Sequence, residues 1–89
     1  MDLEFDLAKS ERNRRERGFG FEQAARFDFE TALIWIDNRR AYPETRYAAL
    51  GFVAGRLHAL VFAEANSGIR VISFRKANAR EVRLHARHR

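Results

Sequence analysis

Arg46, Arg75 and Arg80 are the residues best placed to do chemistry. Arg46 begins a strand-like run, Arg75 ends another, and Arg80 opens the last helical segment. Strand ends hold a side chain firmly, and a helix N-terminus adds partial positive charge beside it. A guanidinium stays charged in any site, and its planar fork of donors matches the oxygens of phosphate. These three are therefore candidate phosphate clamps, or else Arg75 and Arg80 pair with Glu22 or Glu81 within the fold. Lys9 and Lys76 are the lysines, so 15 of the 17 basic residues are arginine, set against 12 acidic ones for a net charge of +5. That balance suits an anionic partner, whether nucleic acid, an acidic protein or a membrane surface, unless it only solvates the surface.

The other reactive side chains promise less. With no cysteine, disulfides and thiolate metal sites are excluded. His58 lies in a strand-like run, where a packed or exposed neutral ring is the default. Glu81-x-x-x-His85-x-x-His88 could put three ligands on one side of a helix. A chain end rarely offers the second shell that a metal ligand needs, so neither metal nor cofactor is expected.

The chain of 89 residues, 46% hydrophobic with 8 phenylalanines, is expected to fold as one domain over residues 1–89. Leu3–Phe5 is a short strand candidate. Asp6 is placed as an N-cap, and Lys9–Arg17 is a charged helical run closed by Gly18. That run has almost no apolar face, which fits either a solvated surface helix or part of a binding face. Phe21, Ala24 and Ala25 give a short second helix one apolar side. Ala32–Ile36, Arg46–Val53, Arg56–Glu64 and Ile69–Arg75 read as strands, with turns at Ala54-Gly55 and Asn66-Ser67-Gly68 and a polar loop over Asp37–Glu44. In the last strand, Ile69 and Val71 are expected to face one way, Ile72 and Phe74 the other. Asn78 with Glu81 forms a capping box for a helix over Ala79–His88, which carries Arg80, Arg83 and Arg87 as a basic stripe. The expected class is α+β: a small antiparallel sheet of about four strands, two N-terminal helices and one C-terminal helix. No apolar run approaches membrane-spanning length and no signal-like segment opens the chain, so a cytoplasmic protein without a membrane partner is expected.

These segments fall in the order of a known family. Phe5-Asp6-x-x-Lys9-x-x-x-Asn13, Gly18, Phe21-Glu22-x-Ala24, Arg46-Tyr-Ala-Ala-Leu-Gly51, Leu60-Val-Phe62, Ile69-Arg-Val-Ile-Ser-Phe-Arg-Lys-Ala77 and Arg80-Glu81 together resemble the BrnT toxins of type II toxin–antitoxin systems. The resemblance covers nearly the whole chain and lies in the ordered set rather than in any one motif. It implies a RelE-like fold, RNA cleavage without a metal, inhibition of translation, and neutralisation by a BrnA-type antitoxin through which alone the toxin reaches operator DNA. A homodimer and a heterotetramer with the antitoxin are the assemblies open to it. Where the family has Lys-His-Gly this chain has Glu16-Arg17-Gly18. Where it has Thr-Glu-Arg the chain has Ala63-Glu64-Ala65, and His85 stands in place of a Tyr.

Metal-free RNA cleavage needs a base for the 2′-hydroxyl proton, cations for the charge gathering on phosphate, and an acid for the leaving oxygen. On this reading Arg46 and Arg75, then Arg80, are the catalytic phosphate clamps. Glu22 and Lys9 are candidates for proton transfer or its support, although Glu22 also suits a helix N-terminus. Glu81 fits a cap better than a base. Arg17, Lys76 and Arg83 are expected RNA contacts, and His85 is a stand-in proton donor for the missing Tyr. The departures from the family pattern support a second reading, a catalytically weakened basic module that docks an antitoxin or nucleic acid. A membrane-surface peptide fits poorly with an antiparallel sheet.

Overall fold

The computed structural model describes residues 1–88. Its elements are β1 (Asp2–Glu4), α1 (Leu7–Arg17), a 3-10 turn (Phe21–Arg26), β2 (Leu33–Ile36), β3 (Tyr47–Val53), β4 (Arg56–Ala65), β5 (Gly68–Lys76) and α2 (Ala79–Arg87). The α+β class is as expected from the sequence. The sheet has five strands in the order β1-β5-β4-β3-β2. Four are antiparallel neighbours, and β1 adds a fifth, parallel to β5, with Leu3 opposite Ile69. The second helical segment is a 3-10 turn of six residues rather than an α-helix.

α1 stays in place without an apolar face. Asp6 caps it, accepting from Lys9 N at 3.1 Å, and Gly18 ends it in the left-handed region at φ 89°. Its buried residues are polar. Ser10 Oγ accepts from Phe21 N at 2.9 Å, and Asn13 Nδ2 donates to Phe19 O at 3.0 Å. These bonds tie α1 to the segment that carries the apolar anchors Phe21, Ala24 and Phe27. The anchors fill the main core with Ala49, Val53, Leu60, Phe62, Ile69, Val71 and Phe74. Gly51 lets the 3-10 segment approach: a Cβ there would come within 2.5 Å of Phe27 Cζ.

The two faces of β5 differ from the alternation expected of its sequence. Ile69, Val71 and Phe74 all lie in the main core. The cause is a bulge: Val61 pairs with Ser73 while Phe62 pairs with Val71, so Ile72 is the extra residue. The bulge reverses the side-chain alternation beyond it. Arg75, two residues on from Ser73 and paired with Ala59, is thereby turned to the face opposite the main core.

That second face carries a smaller cluster, Leu50, Leu57 and Ala77, against which Leu33, Phe52, Ala59 and Leu84 pack. α2 covers it with Leu84 and buried His85. Nine residues of helix do not reach the end of the face where Trp35, Ala48 and Val61 lie side by side. No helix among the described residues is long and apolar enough to cross a membrane.

Candidate active site

The uncovered end of the second face is a cleft of about 280 Å³. Ala48, Ala59 and Val61 contribute to its floor, and their small or aliphatic side chains leave room for a ligand. One wall is the end of β2 and the loop after it, with Trp35, Asp37 and Arg39. The other is the end of β5 and the start of α2, with Arg75, Asn78, Arg80 and Glu81.

Each wall holds an arginine in a carboxylate fork. Arg75 Nη1 donates to Glu81 Oε1 at 2.8 Å and Nη2 to Oε2 at 2.9 Å. Glu81 Oε1 also accepts from Asn78 N at 2.9 Å, and Glu81 N donates to Asn78 Oδ1 at 2.8 Å. The expected capping box therefore doubles as the seat of Arg75. On the facing wall Asp37 is buried, 4% exposed, and accepts from Arg39 Nε at 2.7 Å and Nη2 at 2.8 Å. The pKa directions follow. Hydrogen bonds from Arg75 hold the Glu81 carboxyl below its ordinary value against the opposing effect of burial. Those from Arg39 do the same for Asp37. Both guanidiniums are raised in turn by their carboxylates, and the charge of Arg39 works weakly against that of Arg75. Arg80 is exposed in the first turn of α2.

The remaining expected residues divide. Arg46 lines a neighbouring cavity of about 360 Å³ with Arg40 and Tyr42, and Asp37 is a wall common to both cavities. Its guanidinium carbon lies 4.1 Å from the Tyr42 ring centroid, its buried Nε has no partner among the described residues, and its carbonyl accepts from Asp37 N at 2.7 Å. Arg17 and Lys76 line a third cavity of about 270 Å³ with Phe19 and Arg75, so Arg75 borders two cavities. Arg83 is exposed on α2 and borders none of these cavities.

Lys9 and Glu22 are not brought to the cleft. Lys9 lies on α1, and Glu22 in the 3-10 turn accepts from Arg14 Nη2 at 2.6 Å, which keeps its carboxyl low. His85 is also elsewhere: 3% exposed, its Nε2 donates to Thr31 O at 2.9 Å and its ring stands edge-on to Phe52. It pins α2 to the segment before β2. His58 is packed as the sequence suggests, between Phe19 and Phe74, with Nδ1 donating to Arg56 O at 2.7 Å. The site residues that sequence reasoning missed are Asp37, Arg39 and Trp35. The available signal was an Asp two places before an Arg just after a strand, a spacing that an Asx turn uses.

The fold and the cleft define a small α+β protein with carboxylate-paired arginines on both walls of a cleft at one end of its sheet. The chain belongs to the family described as ribonuclease toxin, BrnT, of type II toxin–antitoxin system, whose model matches residues 5–81. The match spans both walls of the cleft as far as Glu81. Membership makes RNA the expected substrate and an antitoxin the expected partner. Neither a curated protein nor a solved structure matches the chain.

Proposed function

We propose that this chain is a metal-independent endoribonuclease that inhibits translation in the cytoplasm, with the cleft between β2 and α2 as its active site. The observation that carries this reading is the pair of carboxylate-held arginines, Arg75 and Arg39, facing one another across an open floor. A phosphodiester laid there meets Arg39 on one side, Arg75 and Arg80 on the other, and the N-terminal end of α2. Bidentate partners keep both guanidiniums oriented before substrate arrives, so little reorganisation is needed as negative charge builds on the phosphate. Arg46, in the adjoining cavity, extends the basic surface to the next stretch of backbone, and Arg17 and Lys76 extend it on the other side of Arg75. Arg83 stands further out as an electrostatic contact.

The titratable groups of the cleft set the limits of its proton chemistry. Glu81 and Asp37 are the carboxylates there, and both are held below their ordinary values. A depressed pKa makes a weak base. Charge stabilisation and alignment of the 2′-oxygen are accordingly assigned the larger part of the rate: the 2′-oxygen attacks phosphorus as the P–O5′ bond breaks, Glu81 accepts the 2′-proton directly or through water, and water protonates the leaving 5′-oxygen. Lys9 and Glu22 then support the fold of α1 and the 3-10 turn rather than proton transfer.

We further assign neutralisation to a BrnA-type antitoxin, with operator DNA reached only through it, as a heterotetramer or around a toxin homodimer. The second reading, a basic module that binds without cutting, is favoured by one observation: the forks of Arg75 and Arg39 already hold carboxylates. Induced expression separates the two. The wild-type chain is expected to arrest growth and degrade cellular RNA, and Arg39→Ala with Arg75→Ala to abolish both effects. Growth and RNA equal to the empty vector in the wild-type culture would remove the enzyme reading.

A further inference from the structure

Trp35 is the chain's sole tryptophan, and it is 42% exposed. It lies in β2, the outer strand of the sheet, directly opposite Ala48, whose other partner is Val61. The indole is therefore on the cleft face, while Ile34 and Ile36 point to the other one. It borders the cleft beside Arg39 and Arg80, and also an adjoining groove of about 300 Å³ that it forms with Leu84 and Arg87 of α2. An indole left open at the rim of a cleft, with guanidiniums around it, is the arrangement that single-stranded nucleic acid uses. A base stacks on the ring, and cations take the phosphates on either side. A protein docking there would meet a rim of arginines around the ring rather than a continuous apolar surface, since the neighbouring isoleucines lie on the opposite face.

We propose that Trp35 is the stacking platform for one base of the RNA, that of a nucleotide next to the phosphodiester held by Arg39, Arg75 and Arg80, and that it makes the cleft selective for unpaired RNA. The inference rests on the cleft being the RNA site. In a duplex the bases are stacked and paired, and none is free to lie on the indole. Its sequence preference is expected to be slight, because every base offers a π-face.

Trp35 reports on its own occupancy by fluorescence. The probe is a short single-stranded oligoribonucleotide carrying 2′-O-methyl groups throughout, which removes the attacking hydroxyl. Titration is expected to quench the tryptophan, whereas polyphosphate of equal charge binds without quenching and the annealed duplex binds far more weakly. By anisotropy of the labelled strand, Trp35→Leu is expected to lose roughly tenfold or more in affinity and Trp35→Phe much less, which is the scale of one stacked base. Melting curves check that both variants fold. Affinity of Trp35→Leu within twofold of wild type, or equal quenching by polyphosphate, overturns the proposal. If Trp35→Leu keeps its RNA affinity and loses a protein partner instead, the ring serves docking and the proposal is equally overturned. Cleavage by wild-type protein together with unchanged RNA affinity in Trp35→Leu removes the platform alone. A wild-type chain that neither binds nor cuts single-stranded RNA removes the cleft's assignment with it.

Discussion

Arg75 and Glu81 are joined across the turn between β5 and α2 by two hydrogen bonds of 2.8 and 2.9 Å, and the same Glu81 carboxylate closes the capping box of α2 through Asn78. One side chain thus fixes both the direction of an arginine and the start of the helix beside it. Arg75→Ala is expected to lower cleavage about 100-fold or more, the usual cost of losing a placed donor to developing charge. Arg75→Lys should recover little, because an ammonium cannot reproduce the fork. Glu81→Gln should cost about 1 kcal/mol of stability by urea unfolding, a modest figure because Arg75 is more than a third exposed. The Glu81 carboxyl is lowered in the fold. The stability it contributes is present above the unfolded-state value and is lost as pH falls through the lowered one, and Glu81→Gln removes that part of the acid branch.

Asp37 and Arg39 form the matching pair on the facing wall. Arg39→Ala is expected to lower the melting temperature modestly, because buried Asp37 loses the partner that holds its carboxyl low, and to reduce cleavage roughly tenfold or more. Asp37→Ala should reduce cleavage as well, because Arg39 then loses its orientation, and should also cost about 1–2 kcal/mol through the lost contacts of a buried group. A double mutant no slower than the slower single mutant would show that the two side chains act as one unit.

His58 gives the fold a pH response of its own. Burial between Phe19 and Phe74 lowers its pKa from the ordinary 6.5. The unfolded chain therefore takes up a proton more readily than the folded one, and this contribution to stability is full above about pH 6.5 and declines as pH falls toward the folded-state value. Melting temperatures recorded from about pH 8 down to about pH 5 should fall, and His58→Phe should flatten that slope.

Gly51 faces the ring of Phe27 closely enough that any Cβ collides with it. Gly51→Ala is expected to cost about 1–3 kcal/mol in urea unfolding. Combining it with Phe27→Leu should give a double mutant less destabilised than the sum of the two changes, since the smaller side chain vacates the space that the new methyl needs.

Much of this fold is written locally. The β3–β5 meander follows from apolar runs divided by Ala54-Gly55 and Asn66-Ser67-Gly68, and α2 from the Asn78–Glu81 capping box. The pairing of β1 with β5 joins residues more than 60 positions apart and leaves no local mark on three residues of sequence. The bulge at Ile72 is equally silent, although it decides which way Arg75 points. In the site, Arg75 and Arg80 were legible because each sits at the end of a regular element. The side chain of Arg46 was not, because it is directed by the loop from Asp37, where it stacks on Tyr42. Asp37 and Arg39 read as ordinary loop polarity, and Trp35 as one more residue of a strand that proves to be an edge of the sheet.

The activity proposed for the cleft is RNA cleavage by arginines without a metal. Its most direct measurement is incubation of the purified chain with 5′-labelled single-stranded RNA in excess chelator, with product ends identified by mass. Fragments ending in 2′,3′-cyclic phosphate are expected, formed at the same rate with or without chelator and lost in Arg75→Ala. RNA left intact by the wild-type chain, or cut only when a divalent metal is restored, would contradict it.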